Sequence, residues 1–351
     1  MTNFATAAAS RDANEMFLTA WQGETLQAFE TAITLAPKLR QGFIAPGSIT
    51  ARVPKTWKAG SEIHEAGAEI LGQEFETGYE EFGLDTRPLI TSHAFDSIDL
   101  MLASYDVRGP VTRAQGHELA KQADKRAYTL LYNAAVTAND TDDAFPGAIT
   151  DSNLSISGGV WTNNSLDVLH YSGISSANIA TAGETLISGI DSVQAAWDAL
   201  DVPKENRFCV VDQYLFLAAR KLGIPPVPLA ATNASFGGIQ NMSPFGAPPS
   251  TAGVGYTGEL DYNGVKIFLS QNSPFNQNVT TGPSRWRMSG NANVRAICFQ
   301  SEAAVWVNHM GPQSEMEYSV AMQRWLMVSK AMHGGGTLRP YCAVVLKGNG
   351  S

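Results

Sequence analysis

Cysteine is scarce: the 351 residues hold three, Cys209, Cys298 and Cys342, far apart and with no Cys-x-x-Cys pair. An odd, scattered set excludes a disulfide framework and a zinc knuckle, and predicts reduced, buried thiols. Charge is scarce as well, at 16% of residues, and its balance of 24 basic to 33 acidic side chains leaves a net charge of -9. Affinity for nucleic acid rises with each Lys or Arg placed on the phosphates, so this balance argues against a protein whose main work is gripping them. A wall that merely encloses nucleic acid remains allowed, because mildly acidic charge keeps it from sticking. No run approaches the roughly 18 to 20 apolar residues that span a bilayer. The opening Met1 to Ser10 lacks both a basic start and an apolar centre, so a soluble chain kept in a cytosol is expected.

Apolar material is plentiful. A 44% hydrophobic content with 32 Gly and 17 Pro suits a packed core and excludes collagenous and disordered classes. Between Asn14 and Ile33, the residues Phe17, Leu18, Trp21, Leu26, Phe29 and Ile33 fall near helical spacing, with Pro37 as the expected stop. From Gly42 to Trp57 an alternating pattern predicts strand, broken at Pro46-Gly47. Lys58 to Thr91 is rich in Gly and Glu and has little core of its own. It reads either as a disordered loop or as a two-stranded arm steadied by a partner, since such ribbons are marginal alone. Thr112 and Gln115 have capping-box spacing, which predicts a helix from there to about Asn139. Along it Gly116, Ala120, Ala123, Ala127, Leu130 and Ala134 make a stripe of mostly small residues, with Glu118, Lys121, Gln122, Lys125 and Arg126 on a solvated face. A composition shift near residue 150 opens a β/α region: helix at Ser188 to Leu200, buried strand at Arg207 to Asp212, helix at Tyr214 to Leu222, irregular loop at Pro225 to Pro249. Asn263-Gly264 centres a hairpin over Gly258 to Ser270. Val294 to Val307, Met322 to Ala331 and Tyr341 to Leu346 are expected strands.

The search for catalytic motifs yields decoys. Gly253, Gly255 and Gly258 fit G-x-G-x-x-G, but no strand precedes them, no helix follows, and no acid stands roughly 20 residues on. His64-Glu65 and His117-Glu118 lack the second histidine of a zinc-protease helix, whose place is taken by Ala68 and Lys121. Asp140, Asp142 and Asp143 lack the glycine and glutamate of a calcium loop, having Phe145 and Asp151 instead. The six histidines show no i, i+4 ligand pair, and no nucleophile elbow or phosphate loop occurs. No catalytic residue, cofactor or metal is assigned.

Three strings occur in order: Gly23-Glu24-Thr25-Leu26-Gln27-Ala28-Phe29, Tyr105-Asp106-Val107-Arg108 just before the long helix, and Ala331-Met332-His333-Gly334-Gly335 leading to Leu338-Arg339-Pro340. Together they resemble the major capsid proteins of short-tailed bacteriophages (podoviruses) of the autographivirus type. Gly336 and Thr337 within the glycine run, and Tyr341 after Arg339-Pro340, depart from the family pattern.

The resemblance implies an α+β chain of HK97-like fold: N-terminal arm over 1–57, E-loop over 58–91, P-domain with a long spine helix over 92–155, A-domain over 156–311, P-domain return strand over 312–340, and a final A-domain strand and tail over 341–351. It implies hexamers and pentamers closing into an icosahedral shell around double-stranded DNA without specific binding, assembled in a bacterial cytoplasm and ending in the virion. A scaffolding protein, a portal and a possible decoration protein are the implied partners, with no membrane. Lys58, Glu74, Glu76, Asp106 and Arg108 are the candidate inter-subunit contacts. Two rivals stand beside this reading: an enzyme with a nonstandard site in the β/α half, using Asp212 or Arg207 at a strand end, and a nanocompartment shell of the same fold.

Overall fold

In the computed structural model of the chain, the described residues are 21–44, 48–56, 77–85, 87–96, 108–137, 146–223, 226–228 and 256–349. The organising element is the helix Arg108–Val136, about 40 Å long at roughly 1.5 Å per residue. It begins upstream of the expected capping pair. Pro110 stands in its first turn, where a missing amide costs nothing. Thr112 and Gln115 are therefore interior and buried. Gln115 reaches across to a sheet instead of closing a cap: its Nε2 lies 3.2 Å from His93 Nδ1, and its Oε1 accepts from the Ser329 hydroxyl at 3.0 Å. The small-residue stripe is buried as expected, and Leu119, Tyr128, Leu131 and Ala135 are buried beside it. The buried face is wider than the stripe because the helix is gripped from several sides.

One neighbour is a four-stranded sheet, in the order Arg40–Gly42, Ala304–Ser319, Arg324–Thr337, Leu89–Asp96. The first pair is parallel and the rest antiparallel. Along Arg324–Thr337, Met327, Ser329, Ala331 and His333 are buried at alternate positions. That period of two is the mark of a strand with one covered face.

The second neighbour is an eight-stranded axial sheet: Ile156–Ser157, Val160–Thr162, Ala343–Lys347, Val294–Gln300, Arg207–Val211, Val265–Leu269, Tyr256–Tyr262, Pro226–Pro228. Every residue of Arg207–Val211 and of Val294–Gln300 is buried, as befits central strands covered on both faces. The helix Ser176–Ala199 lies on this sheet, so closely that a Cβ on Gly189 would stand 3.1 Å from Trp161. It starts twelve residues before the expected Ser188, with Ser175 accepting from Asn178 N as its cap. The hairpin at Asn263-Gly264 forms as its sequence demands, both residues taking positive φ (51° and 84°).

The expected strand Val294 to Val307 is two strands in different sheets. The chain leaves the axial sheet at Gln300, turns through Ser301–Ala303 and enters the four-stranded sheet at Ala304. At that crossing the Ala303 carbonyl accepts from Leu338 N and Arg339 N, where the chain returns the other way. Glu302 holds Arg339 at 2.8 Å and Arg40 at 3.8 Å. No local pattern separates the two halves, because both are apolar and the change of partner is set by these distant contacts.

Helix over 21–32 ends before Pro37, which opens a short 3-10 turn, Ala36–Lys38. Trp21, Thr25, Ala28 and Phe29 form its buried face, whereas Leu26 is exposed. The residues from Asn14 to Ala20 lie outside the described set.

Candidate functional site

Thr50–Thr56 and Thr77–Gly83 form a two-stranded antiparallel ribbon, in register from Thr50 opposite Gly83 to Thr56 opposite Thr77. This favours the arm reading of the glycine-rich segment over the loop. The first strand lies inside the segment expected to be N-terminal arm. Leu89–Asp96, which straddles the expected boundary between E-loop and P-domain at residues 91 and 92, pairs with Arg324–Ala331 in the four-stranded sheet. Residues 57–76 lie outside the described set, and so do Lys58, Glu74, Glu76 and Asp106; Arg108 is the first residue of the long helix. Of the five expected contact residues, only Arg108 lies within the described set.

The foot of the ribbon belongs to its own subunit. Ala51, Val53, Phe82 and Leu84 are buried in a cluster with Ile44, Val305, Val307 and Leu338. Gly334-Gly335-Gly336 makes this packing possible. Phe82 occupies the space a Cβ on Gly336 would need, and on Gly335 a Cβ would stand 2.5 Å from the Val305 carbonyl and 2.8 Å from Leu130. The glycine run lets strand, ribbon and long helix approach at one place, which explains the residue type.

Asp85 carries the ribbon's end onward. Its Oδ2 accepts from Trp286 Nε1 at 3.0 Å and faces Arg126 Nη2 at 3.4 Å. The Arg126 guanidinium lies 5.1 Å from the Trp286 ring. Burial lowers the Arg126 pKa and Asp85 opposes that shift, and since Asp85 is itself buried the two form an ion pair largely withdrawn from water. Arg126 therefore departs from the solvated face expected of it. Trp286 meets Trp306 edge-on at 6.3 Å, Trp306 packs on His333 at 5.0 Å, and His333 stacks on Phe29 at 6.2 Å. This belt of rings joins ribbon, long helix, sheet and N-terminal helix. His333 is 1% exposed and its ring nitrogens have no hydrogen-bond partner. Burial first, and the Arg126 charge second, lower its pKa to about 4, so the ring is neutral at neutral pH.

A second node is Asp124, fully buried on the long helix. Its Oδ1 accepts from Leu35 N at 2.9 Å and Ala36 N at 3.2 Å. Its Oδ2 accepts from Thr34 N, the Thr34 hydroxyl and Asn272 Nδ2, each at 2.9 Å. Asn272 also donates to the Ala32 carbonyl at 3.0 Å, while Lys38 pairs with Glu259 over the faces of Phe208 and Phe268. Residues 32–38 thus strap the axial sheet to the long helix. The signal was in the sequence: an acid between Ala123 and Ala127 on a buried stripe has no solvent to face.

The residues proposed for an enzyme serve structure. Asp212 caps the helix Gln213–Lys221, accepting from Gln213 N at 2.6 Å, and stands 2.8 Å from His170 Nε2. Arg207 binds Asp198 at 2.8 Å and the Val202 carbonyl at 2.7 Å. The Arg207 hydrogen bond pulls the Asp198 carboxyl below its usual range. Among the described residues no group of three or more His, Cys, Asp or Glu could hold a metal ion, and no helix is long and apolar enough to cross a membrane. Gly253, Gly255, His64, Asp140, Asp142 and Asp143 lie outside the described residues.

Comparison with known proteins agrees with this geometry. Residues 53–347 match a family model described as "Gp10A-like: Major capsid protein". No curated protein matches. Among solved structures, the capsid of the cyanophage P-SCSP1u is 20% identical with a TM-score of 0.61, covering 90% of this chain and 87% of that one. The mature capsid of bacteriophage PhiM1 is 13% identical at TM-score 0.61, with the same coverage. Mycobacterium phage Che8 is 16% identical at TM-score 0.53, covering 91% and 92%. At such identities these likenesses bear on the fold alone, and that fold is the α+β, HK97-like capsid fold.

Proposed function

The chain belongs to the Gp10A-like family of major capsid proteins and is a shell-forming coat protein, and from that premise we propose that its copies form hexameric and pentameric rings closing into an icosahedral head around double-stranded DNA. In this reading the ribbon is the E-loop, Arg108–Val136 the spine helix of the P-domain, and the eight-stranded sheet the A-domain; the E-loop then takes in Thr50–Thr56, ahead of the expected start at 58, and the A-domain ends at Gln300, ahead of the expected 311. The observation that carries it is the ribbon. Its foot is locked into its own subunit by Phe82 and Leu84, while Ile49 and Tyr79 are 63% and 58% exposed. A two-stranded ribbon is marginal alone, so a neighbouring copy supplies what the ribbon's length lacks.

Lys58, Glu74 and Glu76, which fall in sequence between the two ribbon strands, with Asp106 and Arg108, are the proposed charge contacts between copies. The net charge of -9 suits an inner wall that encloses DNA without binding it specifically. The ordered strings, above all Ala331 to Gly335, support a short-tailed, autographivirus-type phage. They also support assembly in a bacterial cytoplasm with a scaffolding protein and portal, with or without a decoration protein.

The test replaces residues 57–76 by a short Gly/Ser turn, keeping the paired strands on either side. A cut through Phe82, Leu84 and Asp85 would remove core, so the sparing of residues 77–85 is essential. Expected are an unchanged cooperative melt by circular dichroism and the loss of closed shells in electron microscopy and sedimentation. Normal shells from the shortened chain, or a full-length chain that stays monomeric at high concentration with a scaffolding protein present, would overturn the reading.

A further inference from the structure

Cys209 and Cys298 stand directly opposite each other on neighbouring antiparallel strands in the middle of the axial sheet, their sulfurs 3.2 Å apart. Opposed residues on such strands have Cα atoms about 4.5 to 5.5 Å apart. That falls inside the roughly 4.4 to 6.8 Å a disulfide spans. Side chains of an opposed pair leave the same face of the sheet. Closing a bond between these sulfurs therefore asks for side-chain rotation and no movement of either strand. Cys342 is placed differently: it ends the turn Pro340–Cys342, and on that side Cys298 is paired with Val344.

We infer that Cys209 and Cys298 are a redox-active dithiol that closes to an intrachain disulfide under peroxide, while Cys342 stays a thiol. One thiolate attacks hydrogen peroxide, giving a sulfenic acid and hydroxide. The second thiol then displaces the sulfenic oxygen as water. Overall two thiols and one peroxide become one disulfide and two waters, two electrons passing from sulfur to oxygen.

Both thiols are buried, and burial pushes the Cys209 thiol well up and Cys342 up to about 12. Thiolate is scarce at neutral pH for that reason, and closure is slow, waiting on local opening of the sheet. Once made, the bond ties Arg207–Val211 to Val294–Gln300 and closes a long loop, which raises the thermal midpoint. If the chain leaves a reducing cytosol in a released particle, the pair passes into oxidising surroundings. That consequence rests on the shell reading; the thiol chemistry does not.

The experiment incubates the full chain with hydrogen peroxide in native buffer, then alkylates it in denaturant and maps the peptides by mass spectrometry. Expected are a Cys209–Cys298 bridge with the loss of two hydrogens, one alkylated thiol at Cys342, an unchanged circular dichroism spectrum, and a higher thermal midpoint that a phosphine reductant reverses. Three alkylated thiols, sulfinic acid at Cys209 or Cys298, a bridge that includes Cys342, or a bridge formed only after denaturation would each overturn the assignment. Shell assembly is scored on the same sample by sedimentation, and its failure bears on the function proposed above and leaves the thiol result standing.

Discussion

Replacing Asp124 with Ala removes the acceptor for three backbone amides, one hydroxyl and one side-chain amide at a fully buried point. Hydrogen bonds to a charged acceptor contribute about 1.5 to 3 kcal/mol each. Their plain sum overshoots, since the variant also escapes the cost of burying a carboxylate. What remains is the cost of neutral buried donors left without an acceptor, about 1 to 3 kcal/mol each before relaxation, so a net loss of about 3 to 5 kcal/mol is expected. For a large domain roughly 2 °C of midpoint follows each kcal/mol, so a fall of about 6 to 10 °C is expected. Asp124→Asn keeps one oxygen but turns an amide toward the donors that faced the other, so it recovers only a minority of the loss. The assay is thermal melting of the unassembled chain, paired with hydrogen exchange at Leu35 and Ala36, whose amides should lose protection. A midpoint within about 2 °C of the parent, with both amides still protected, would refute the view that residues 32–38 strap the axial sheet to the helix.

His333 predicts a pH dependence. Its native pKa of about 4 lies below the ordinary 6.5, so the unfolded chain binds more protons between those values and stability falls as pH drops from 6.5 toward 4. The loss is at most about 3 to 4 kcal/mol by denaturant titration, and His333→Phe should remove that slope; an undiminished slope in the variant would assign it elsewhere. Gly336→Val fills the space of Phe82 and should unseat the foot of the ribbon, leaving the axial sheet melting as before but abolishing closed shells. Gly116→Val would place a Cβ 2.6 Å from the Thr25 carbonyl, so faster proteolysis of the helix over 21–32 is expected; equal rates would mean that the helix crossing is not tight. Charge reversal at Glu74 should slow assembly without stopping it, because an exposed ion pair is worth only about 0 to 1 kcal/mol. Complete loss of assembly would show that a single contact dominates.

What was legible in the sequence is what short stretches decide. Asn263-Gly264 specifies its turn because both residues tolerate positive φ, and the alanine stripe specifies a close approach whatever approaches. The helix start misled because Thr112 and Gln115 have the right types at the right spacing for a cap, yet Pro110 can begin the helix a turn earlier and the sheet offers Gln115 other partners. Arg126 read as surface because charge on a helix usually is. Only the meeting of Asp85, just past the ribbon, with Trp286 from the connection between Val265–Leu269 and Val294–Gln300 makes a buried place for it. The five expected contact residues were implied by resemblance alone, and four of them lie outside the described residues.

The same distant contacts bear on how a subunit could assemble without first being ordered by its neighbour. Phe82 and Leu84 bury the ribbon's foot, Asp85 ties its end to the long helix, and the ring belt runs from there to Phe29 on the N-terminal helix. The direction in which the ribbon leaves the subunit is therefore set by intrachain packing before any second copy arrives. An arm with its origin already fixed loses less conformational freedom on docking than one free from its root, so more of the contact energy remains for association. The glycines at 334–336 are the condition for that arrangement, because any side chain at the Gly336 position would displace Phe82 and return the loss to the docking step.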